Sequence, residues 1–132
     1  MIIGIGIDIV ANSRIRKNTG NMRFMRRIFT DTEIAYFRKK VNMHQSIAAS
    51  FAAKEAFFKA LGTGIISAGL AIRDIGIARE KGGRPYITMS PKVRAYIATT
   101  YKTRSPAVYL SISHEKEYSV AVAVIETSDK RQ

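Results

Sequence analysis

Cysteine is absent from the 132 residues of the chain. Its absence excludes disulfide bonds, zinc sites with thiolate ligands and cysteine nucleophiles. A run of about 18 apolar residues is also missing, so we expect no membrane-spanning helix. The N-terminal stretch MIIGIGIDIV is apolar, but it has neither a basic n-region nor a small-residue cleavage site. We therefore expect no signal peptide and a cytoplasmic protein.

Acidic residues are few: ten Asp and Glu stand against 22 Lys and Arg, which gives a formal net charge of +12. Such a surface attracts polyanions, among them nucleic acid, nucleotide phosphates and acidic proteins. No acid occurs between Ile9 and Thr30, a stretch that we call the basic segment. Its cations are Arg14, Arg16, Lys17, Arg23, Arg26 and Arg27. We expect the basic segment to bind an anionic partner.

The order of apolar and turn-forming residues predicts one α+β domain over residues 1–126, followed by a polar tail over 127–132. We expect a small antiparallel sheet packed with a long helix and shorter helices. The predicted strands cover residues 2–10, 72–79, 84–89, 107–113 and 118–125. The predicted helices cover residues 30–40, 43–61 and 91–101, with one or two short pieces within 12–28.

Three local signals set the helix ends in this prediction. Thr30 and Glu33 form a capping box at the start of one helix. Gly62 supplies a stop for the long helix. Ser90 and Pro91 are typical of an N-cap and a first helical residue.

The first predicted strand alternates residue by residue. One face carries Ile3, Ile5, Ile7 and Ile9, and the other carries Ile2, Gly4, Gly6, Asp8 and Val10. The two glycines leave room for a neighbouring backbone or a ligand to come close. An aspartate on such a face is a common way to hold a divalent metal near phosphate. The alternative is an aspartate near the strand end that bonds to a turn.

The long helix offers a second acid and a lysine. Glu55 lies four residues after Phe51 and three before Phe58, which places it within an apolar helical face. A carboxylate that points inward is costly unless it is paired or bound to metal. The alternative is a surface ion pair between Glu55 and Lys59, which are four residues apart. Lys59 is also able to neutralise a phosphate or protonate a leaving oxygen.

Two glycine-rich turns and the histidines complete the candidates. The GTG stretch at 62–64 is able to approach phosphate, but a helix stop explains it equally. The GGRP stretch at 82–85 is typical of a hairpin turn, in which Arg84 offers a fork for phosphate. His114 ends a predicted strand beside serine hydroxyls, where it suits either phosphate binding or a solvated loop. His44 has no evident partner, and we interpret it as structural.

Together these motifs resemble one family. GIGIDIV at 4–10, FAAKEAFFKALGTG at 51–64, GGRPYI at 82–87 and SISH at 111–114 resemble, in order and spacing, the holo-acyl-carrier-protein synthases. The resemblance extends over about residues 2–125 and implies the 4′-phosphopantetheinyl transferase fold. It implies transfer of 4′-phosphopantetheine from coenzyme A to a serine of an acidic apo-acyl carrier protein. The implied reaction depends on Mg²⁺, releases 3′,5′-ADP and supports fatty acid biosynthesis.

The resemblance also implies a role for each candidate. Asp8 and Glu55 would bind Mg²⁺ at the coenzyme A pyrophosphate, and Glu55 would help to deprotonate the carrier serine. Lys59 would stabilise or protonate the departing 3′,5′-ADP. The coenzyme A pocket would be lined by Lys59, Gly62, Thr63, Gly64, Gly83, Arg84, Pro85 and His114. The acidic helix of the carrier would meet Arg14, Arg23, Arg26 and Arg27. The family's symmetric trimers, with the pocket between subunits, imply a homotrimer. We expect the protein to bind neither nucleic acid nor a membrane.

The sequence departs from the family pattern at four places. Ala11 stands where glutamate is usual, and Ser50 stands where arginine is usual, so a phosphate or carrier contact is missing or replaced. The turn reads GGRP where NGKP is more usual. Phe58 is larger than the residue often found there, and we expect it to reshape the pocket wall.

Two other functions are compatible with the residues. A nucleic-acid-binding module is suggested by the net charge of +12, although neither an aromatic platform interleaved with Arg and Lys nor a zinc spacing occurs. A two-metal nuclease would need more converging carboxylates than Asp8 and Glu55. The remaining candidates for a third ligand are Asp74, Glu115 and Glu117.

Overall fold

The structure, a computed structural model, describes residues 1–128. In chain order the elements are β1 (Ile2–Ala11), α1 (Asn12–Arg16), α2 (Met22–Ile28), α3 (Asp31–Arg38), α4 (Met43–Leu61), β2 (Ile75–Arg79), β3 (Pro85–Met89), α5 (Pro91–Tyr101), β4 (Pro106–His114) and β5 (Tyr118–Thr127). The part of the predicted tail at 129–132 lies outside the described residues. None of the helices within residues 1–128 has the length and apolarity that a bilayer span requires.

The strands form two antiparallel sheets, which confirms the predicted α+β class. The first sheet has the order β1-β5-β4, and the second is the hairpin of β2 and β3. The long helix α4 packs across β1 and β5 and covers one face of the first sheet. The main hydrophobic core lies between that face and the helices.

The predicted helix ends are confirmed. Thr30 caps α3: its hydroxyl accepts a hydrogen bond from the Glu33 amide at 3.2 Å, and the Glu33 carboxylate accepts one from the Thr30 amide at 2.7 Å. Gly62 ends α4 in the left-handed conformation with a φ of 73°. Ser90 caps α5, in which Pro91 is the first residue. These caps pair backbone groups that a helix end leaves without partners.

Two predicted strand boundaries are wrong. Residues 72–74 form a single 3₁₀ turn because the Asp74 carboxylate accepts a hydrogen bond from the Ala71 amide at 2.8 Å, so β2 begins only at Ile75. At the other end, β5 continues through Thr127, which the sequence places in the polar tail. The Thr127 side chain is buried and donates a hydrogen bond to the Thr103 hydroxyl at 2.7 Å.

The contact between β1 and α4 is unusually close because two glycines allow it. A Cβ atom added at Gly4 would lie 1.9 Å from the carbonyl oxygen of Ala60, and one added at Gly6 would lie 1.9 Å from that of Ala56. The helix presents alanines to this face, so the two backbones approach without long side chains between them. The expectation that the glycines admit a neighbouring backbone is confirmed.

The other face of the three-stranded sheet is apolar and uncovered in the single chain. Ile5, Ile7 and Ile9 are 63%, 59% and 65% exposed. Their cross-strand partners are Val124, Val122 and Val120, which point to the same side. We call this surface, together with Tyr109 on β4, the open sheet face. Apolar patches of this kind on a folded domain mark interaction surfaces.

Candidate active site

Asp8 lies on the β1 face that packs against α4. Gly4 meets Ala60 and Gly6 meets Ala56, so the strand runs past successive turns of the helix in the direction of its N-terminus. Asp8 is the next residue of β1 on that face. Glu55 and Lys59 lie one helical turn apart on the same stretch of α4. The close packing of strand and helix therefore brings these three side chains together.

Lys59 joins the strand to the helix. Its ammonium donates a hydrogen bond to the Asp8 carboxylate at 2.9 Å and another to the Ile7 carbonyl at 3.1 Å. The Asp8 side chain is 16% exposed, whereas that of Lys59 is 54% exposed. The acid is thus partly enclosed, and the cation remains within reach of a ligand from solvent.

Glu55 lies half-buried beside this pair. Burial raises the pKa of the Glu55 carboxyl, the negative charge of Asp8 raises it further, and the positive charge of Lys59 partly opposes both. Within residues 1–128, Lys59 makes its ion pair with Asp8 and none with Glu55. The alternative of a Glu55–Lys59 surface pair is therefore wrong, and Glu55 forms part of a two-carboxylate centre.

Two neighbouring carboxylates repel each other, and a divalent cation between them removes that repulsion. Mg²⁺ prefers oxygen ligands and is usually bound by one or two carboxylates, with water and substrate phosphates filling the other positions. Asp8 and Glu55 supply that donor set, and the positive end of Lys59 lies beside it. Among residues 1–128, no group of three or more His, Cys, Asp or Glu could hold a metal. The centre fits one Mg²⁺ completed by substrate.

The GTG stretch follows α4 directly. Gly62 is the left-handed residue that ends the helix, and Gly64 borders an open groove of about 790 Å³ between α2 and the loop that follows α4. The groove is mainly apolar, and its walls include Phe24, Arg27, Ile28, Ile65 and Leu70. A substrate bound at the loop would meet both an apolar wall and a guanidinium group.

The hairpin turn and His114 belong to other elements than this centre. Gly83 adopts a left-handed φ of 90°, and its carbonyl accepts a hydrogen bond from the Arg79 guanidinium at 3.2 Å. Arg84 and His114 are exposed, and His114 lies at the end of β4, two strands away from β1. The hydrogen bonds and ion pairs of residues 1–128 link none of these residues to Asp8, Glu55 or Lys59.

The basic segment folds as two short helices with their arginines in solvent. Arg14 lies on α1, and Arg23, Arg26 and Arg27 lie on α2; all four are exposed. Buried Ile15 and Met25 anchor the two helices to the core. His44, at the start of α4, shares a hydrogen bond of 3.2 Å with the Thr19 hydroxyl, which agrees with a structural role.

Comparison with known proteins places the chain in a family. A family model described as the 4′-phosphopantetheinyl transferase superfamily matches residues 4–123. A holo-[acyl-carrier-protein] synthase of Pelagibacter ubique is 40% identical over 125 residues, which cover 95% of this chain and 97% of that protein. The chain belongs to the holo-[acyl-carrier-protein] synthases of this superfamily. Another such synthase, from Clostridium tetani, is 40% identical over 131 residues, with 96% of this chain and 97% of that protein covered.

Solved structures of holo-[acyl-carrier-protein] synthases have the same fold. The synthase of Neisseria meningitidis superposes with a TM-score of 0.84 at 38% identity, covering 96% of this chain and 100% of that one. The synthase of Bacillus anthracis, in complex with CoA (3′,5′-ADP), has a TM-score of 0.77 at 38% identity, covering 97% and 99%. The Helicobacter pylori synthase, in complex with coenzyme A, has a TM-score of 0.77 at 35% identity, covering 92% and 99%.

Two positions at which the chain departs from the usual holo-[acyl-carrier-protein] synthase pattern are inside the protein. Ser50 is buried on α4. Phe58 is also buried, and its ring packs edge-to-face on that of Phe57 with centroids 5.3 Å apart. The larger side chain at Phe58 therefore fills the core. Ala11 ends β1 and is half-buried.

One buried polar cluster of this synthase was not predicted from the sequence. Lys54 is fully buried, and its ammonium forms an ion pair of 2.7 Å with Glu33. The sequence does contain a signal, because Phe57, Phe58 and Leu61 follow Lys54 at the spacings of one helical face. A lysine within such a face needs a buried partner.

Proposed function

We propose that this synthase transfers 4′-phosphopantetheine from coenzyme A to a serine of an acidic apo-acyl carrier protein, with Mg²⁺ and with release of 3′,5′-ADP. The observation that carries the proposal is the convergence of Asp8, Glu55 and Lys59 at the contact between β1 and α4. We further propose that the enzyme is cytoplasmic and supplies fatty acid biosynthesis, as the sequence resemblance implies. Related synthases solved with coenzyme A or 3′,5′-ADP support the choice of substrate.

The proposed reaction moves one phosphoryl-type group. The serine oxygen bonds to the β-phosphorus of coenzyme A, and the bond from that phosphorus to the bridging oxygen of the diphosphate breaks. Glu55 takes the serine proton, directly or through water, which its raised pKa favours. Lys59 neutralises the charge on the departing 3′,5′-ADP or protonates it. Positioning and charge neutralisation supply most of the barrier lowering in such transfers.

The proposed Mg²⁺ would be held by Asp8 and Glu55. When bound, the ion supplies neutralisation of the diphosphate charge. Lys59 orients the Asp8 carboxylate through their hydrogen bond of 2.9 Å. The Asp8 carboxylate is only 16% exposed and is hydrogen-bonded to Lys59, so its position is partly preorganised for the ion.

The proposed coenzyme A pocket lies between subunits of a homotrimer. Within residues 1–128 of one chain, no hydrogen bond or ion pair links the turn at 83–85 or His114 to the carboxylate centre, and a neighbouring subunit would bring them to it. The open sheet face offers the surface for such an assembly, since three isoleucines are exposed and their valine partners are only half-buried. Lys59, Gly62, Thr63 and Gly64 would then line the pocket from one side, and Gly83, Arg84, Pro85 and His114 would line it from the other.

Replacing Ile5 with glutamate tests the assembly. A charge at the centre of a buried apolar interface is costly to desolvate, so we expect the variant to be monomeric and inactive. Sedimentation equilibrium should show the wild-type protein at three times the mass of the 14.7 kDa chain and the variant at one chain mass. Val41→Glu, at an exposed valine in the loop between α3 and α4, is the matched control and should remain trimeric. A monomeric wild-type protein with full activity would contradict the proposed shared pocket.

Reversing two charges of the basic segment tests the carrier surface. Arg14→Glu combined with Arg26→Glu should raise the KM for the carrier at least about tenfold, because attraction becomes repulsion across the contact. The KM for coenzyme A should stay nearly constant. The control is Lys92→Glu with Arg94→Glu on α5, which makes the same change in net charge at exposed positions. Equal loss of affinity for both substrates would show that this segment does not bind the carrier.

Intact-mass spectrometry tests the proposed function itself. The protein is incubated with an apo-acyl carrier protein, coenzyme A and Mg²⁺, and the carrier should gain the mass of one phosphopantetheine while 3′,5′-ADP accumulates. A carrier with its acceptor serine replaced by alanine serves as the control. An unmodified carrier under every divalent metal tried would refute the proposal.

A further inference from the structure

The Lys54 ammonium is saturated by three acceptors from three different elements. It donates to the Ile28 carbonyl at 2.7 Å, to the Glu33 carboxylate at 2.7 Å and to the Ile75 carbonyl at 2.8 Å. Ile28 ends α2, Glu33 lies on α3 and Ile75 begins β2. An ammonium has three donors, and here each of them has a partner.

Glu33 extends the same network. One carboxylate oxygen accepts hydrogen bonds from both Lys54 and the Thr30 amide, each at 2.7 Å. The other oxygen accepts from the Ile77 amide at 2.9 Å, so it occupies a backbone donor on the free edge of β2. One ion pair thus joins α4 to α2, to the start of α3 and to two residues of the β2–β3 hairpin.

The elements that Lys54 and Glu33 join also carry residues that we assign to the reaction. Lys54 is the chain neighbour of Glu55, and Lys59 is just over one turn farther along α4. Ile28 directly follows Arg26 and Arg27 of the basic segment. The hairpin that begins at Ile75 carries the turn at 83–85. The basic segment is therefore connected to the catalytic helix of its own chain through Lys54, whereas the turn at 83–85 would serve the pocket of a neighbouring subunit.

The contribution of a buried ion pair to the stability of the fold does not by itself explain its presence here. Burial lowers the pKa of Lys54, and the charge of Glu33 opposes that effect. The cost of removing the two charges from water therefore offsets much of their electrostatic attraction. An apolar pair of similar volume often stabilises a protein equally well. What an apolar pair lacks is direction, because only hydrogen bonds fix the angle and distance of each partner.

We propose that Lys54 and Glu33 are positioning residues for the transfer reaction, which hold the basic segment and the catalytic helix in their relative places. The inference rests on the proposed function. It differs from a structural role because it concerns the turnover of folded enzyme, which depends on sub-ångström placement of reacting groups.

The test is the double variant Glu33→Gln with Lys54→Met, which removes both charges and leaves neither one unpaired. Steady-state rates are measured at one temperature, at least about 15 °C below the lowest midpoint of thermal unfolding, Tm, among the proteins compared, so that all molecules are folded. We expect kcat to fall at least about tenfold, with the KM for coenzyme A changed less than about threefold. Ile97→Ala, at a buried position of α5 outside the joined elements, should lower Tm but keep kcat.

A second variant keeps the inference testable if the double variant fails to fold. Glu33→Asp alone keeps both charges and both carboxylate oxygens but shortens the side chain by one methylene, and it should reduce kcat by roughly threefold to tenfold. Unchanged kcat in a folded variant, with only Tm lowered, would overturn the positioning role. Absence of transfer by the wild-type enzyme would instead refute the proposed function, so the two failures are distinguishable.

Discussion

Replacing Glu55 with glutamine is expected to lower kcat/KM for phosphopantetheine transfer by about 10²- to 10⁴-fold, the usual range for loss of a general base. The change removes the proton acceptor and one of the two proposed Mg²⁺ ligands. It also removes the like-charge repulsion from Asp8, which is one cause of the raised pKa of Glu55. Activity should therefore fall while the folded state is retained.

The control for Glu55→Gln is Glu117→Gln, at an exposed glutamate in the β4–β5 turn. It makes the same chemical change far along the chain and should keep full activity. Circular dichroism and thermal unfolding should show both variants folded. A Glu55→Gln enzyme with wild-type kcat/KM would remove Glu55 from the mechanism.

Replacing Gly6 with alanine is expected to destabilise the protein by about 3 kcal/mol or more, the upper range for overpacking a core. The added Cβ would lie 1.9 Å from the Ala56 carbonyl oxygen and 2.6 Å from the Ala60 amide nitrogen. Both atoms belong to the backbone of α4, so neither can move away by a side-chain rotation. The strand must move away from the helix, which also separates Asp8 from Glu55 and Lys59.

The measurement is thermal unfolding together with the transfer rate. For a domain of this size, the loss should lower Tm by roughly 10 °C, and activity should be lost even well below the new midpoint. Gly20→Ala is the control for stability, since a Cβ there would meet nothing within 4 Å. A Gly6→Ala protein with unchanged Tm would contradict the close packing on which the site depends.

Local sequence signals predict the elements well because their causes are local. The Thr30–Glu33 capping box, the left-handed Gly62 and the Ser90–Pro91 start all act within one helical turn. The errors have non-local causes. Thr127 belongs to β5 because its side chain meets Thr103 and its amide donates to the Met1 carbonyl, contacts that the tail composition does not reveal.

In the candidate site, too, the features with local causes could be predicted from the sequence and those that depend on tertiary contacts could not. The alternation of β1 places Asp8 and the glycines on one face, and helical spacing places Glu55 with Lys59 on another element. The pairing of Lys59 with Asp8 follows only from the tertiary contact of α4 with β1. The partners of Lys54 could not be predicted for a similar reason, since its three acceptors lie 21 to 26 residues away.

The exposed faces show another limit of sequence patterns. Both faces of β1 carry apolar or small residues, so alternation alone does not tell which one packs against the helix. In the structure, the glycine face packs on α4 and the isoleucine face stays open. The alanine-rich surface of α4 packs against the glycine face because residues without side chains let the two backbones approach closely.

The most direct test of the account is the Mg²⁺ concentration that gives half of the maximal transfer rate, measured for the wild-type enzyme and for Asp8→Asn. If Asp8 and Glu55 together hold the ion at the diphosphate, EDTA should abolish wild-type transfer, and the variant should need at least about tenfold more Mg²⁺. Wild-type transfer that persists in EDTA, or an identical Mg²⁺ requirement in Asp8→Asn, would contradict the two-carboxylate site.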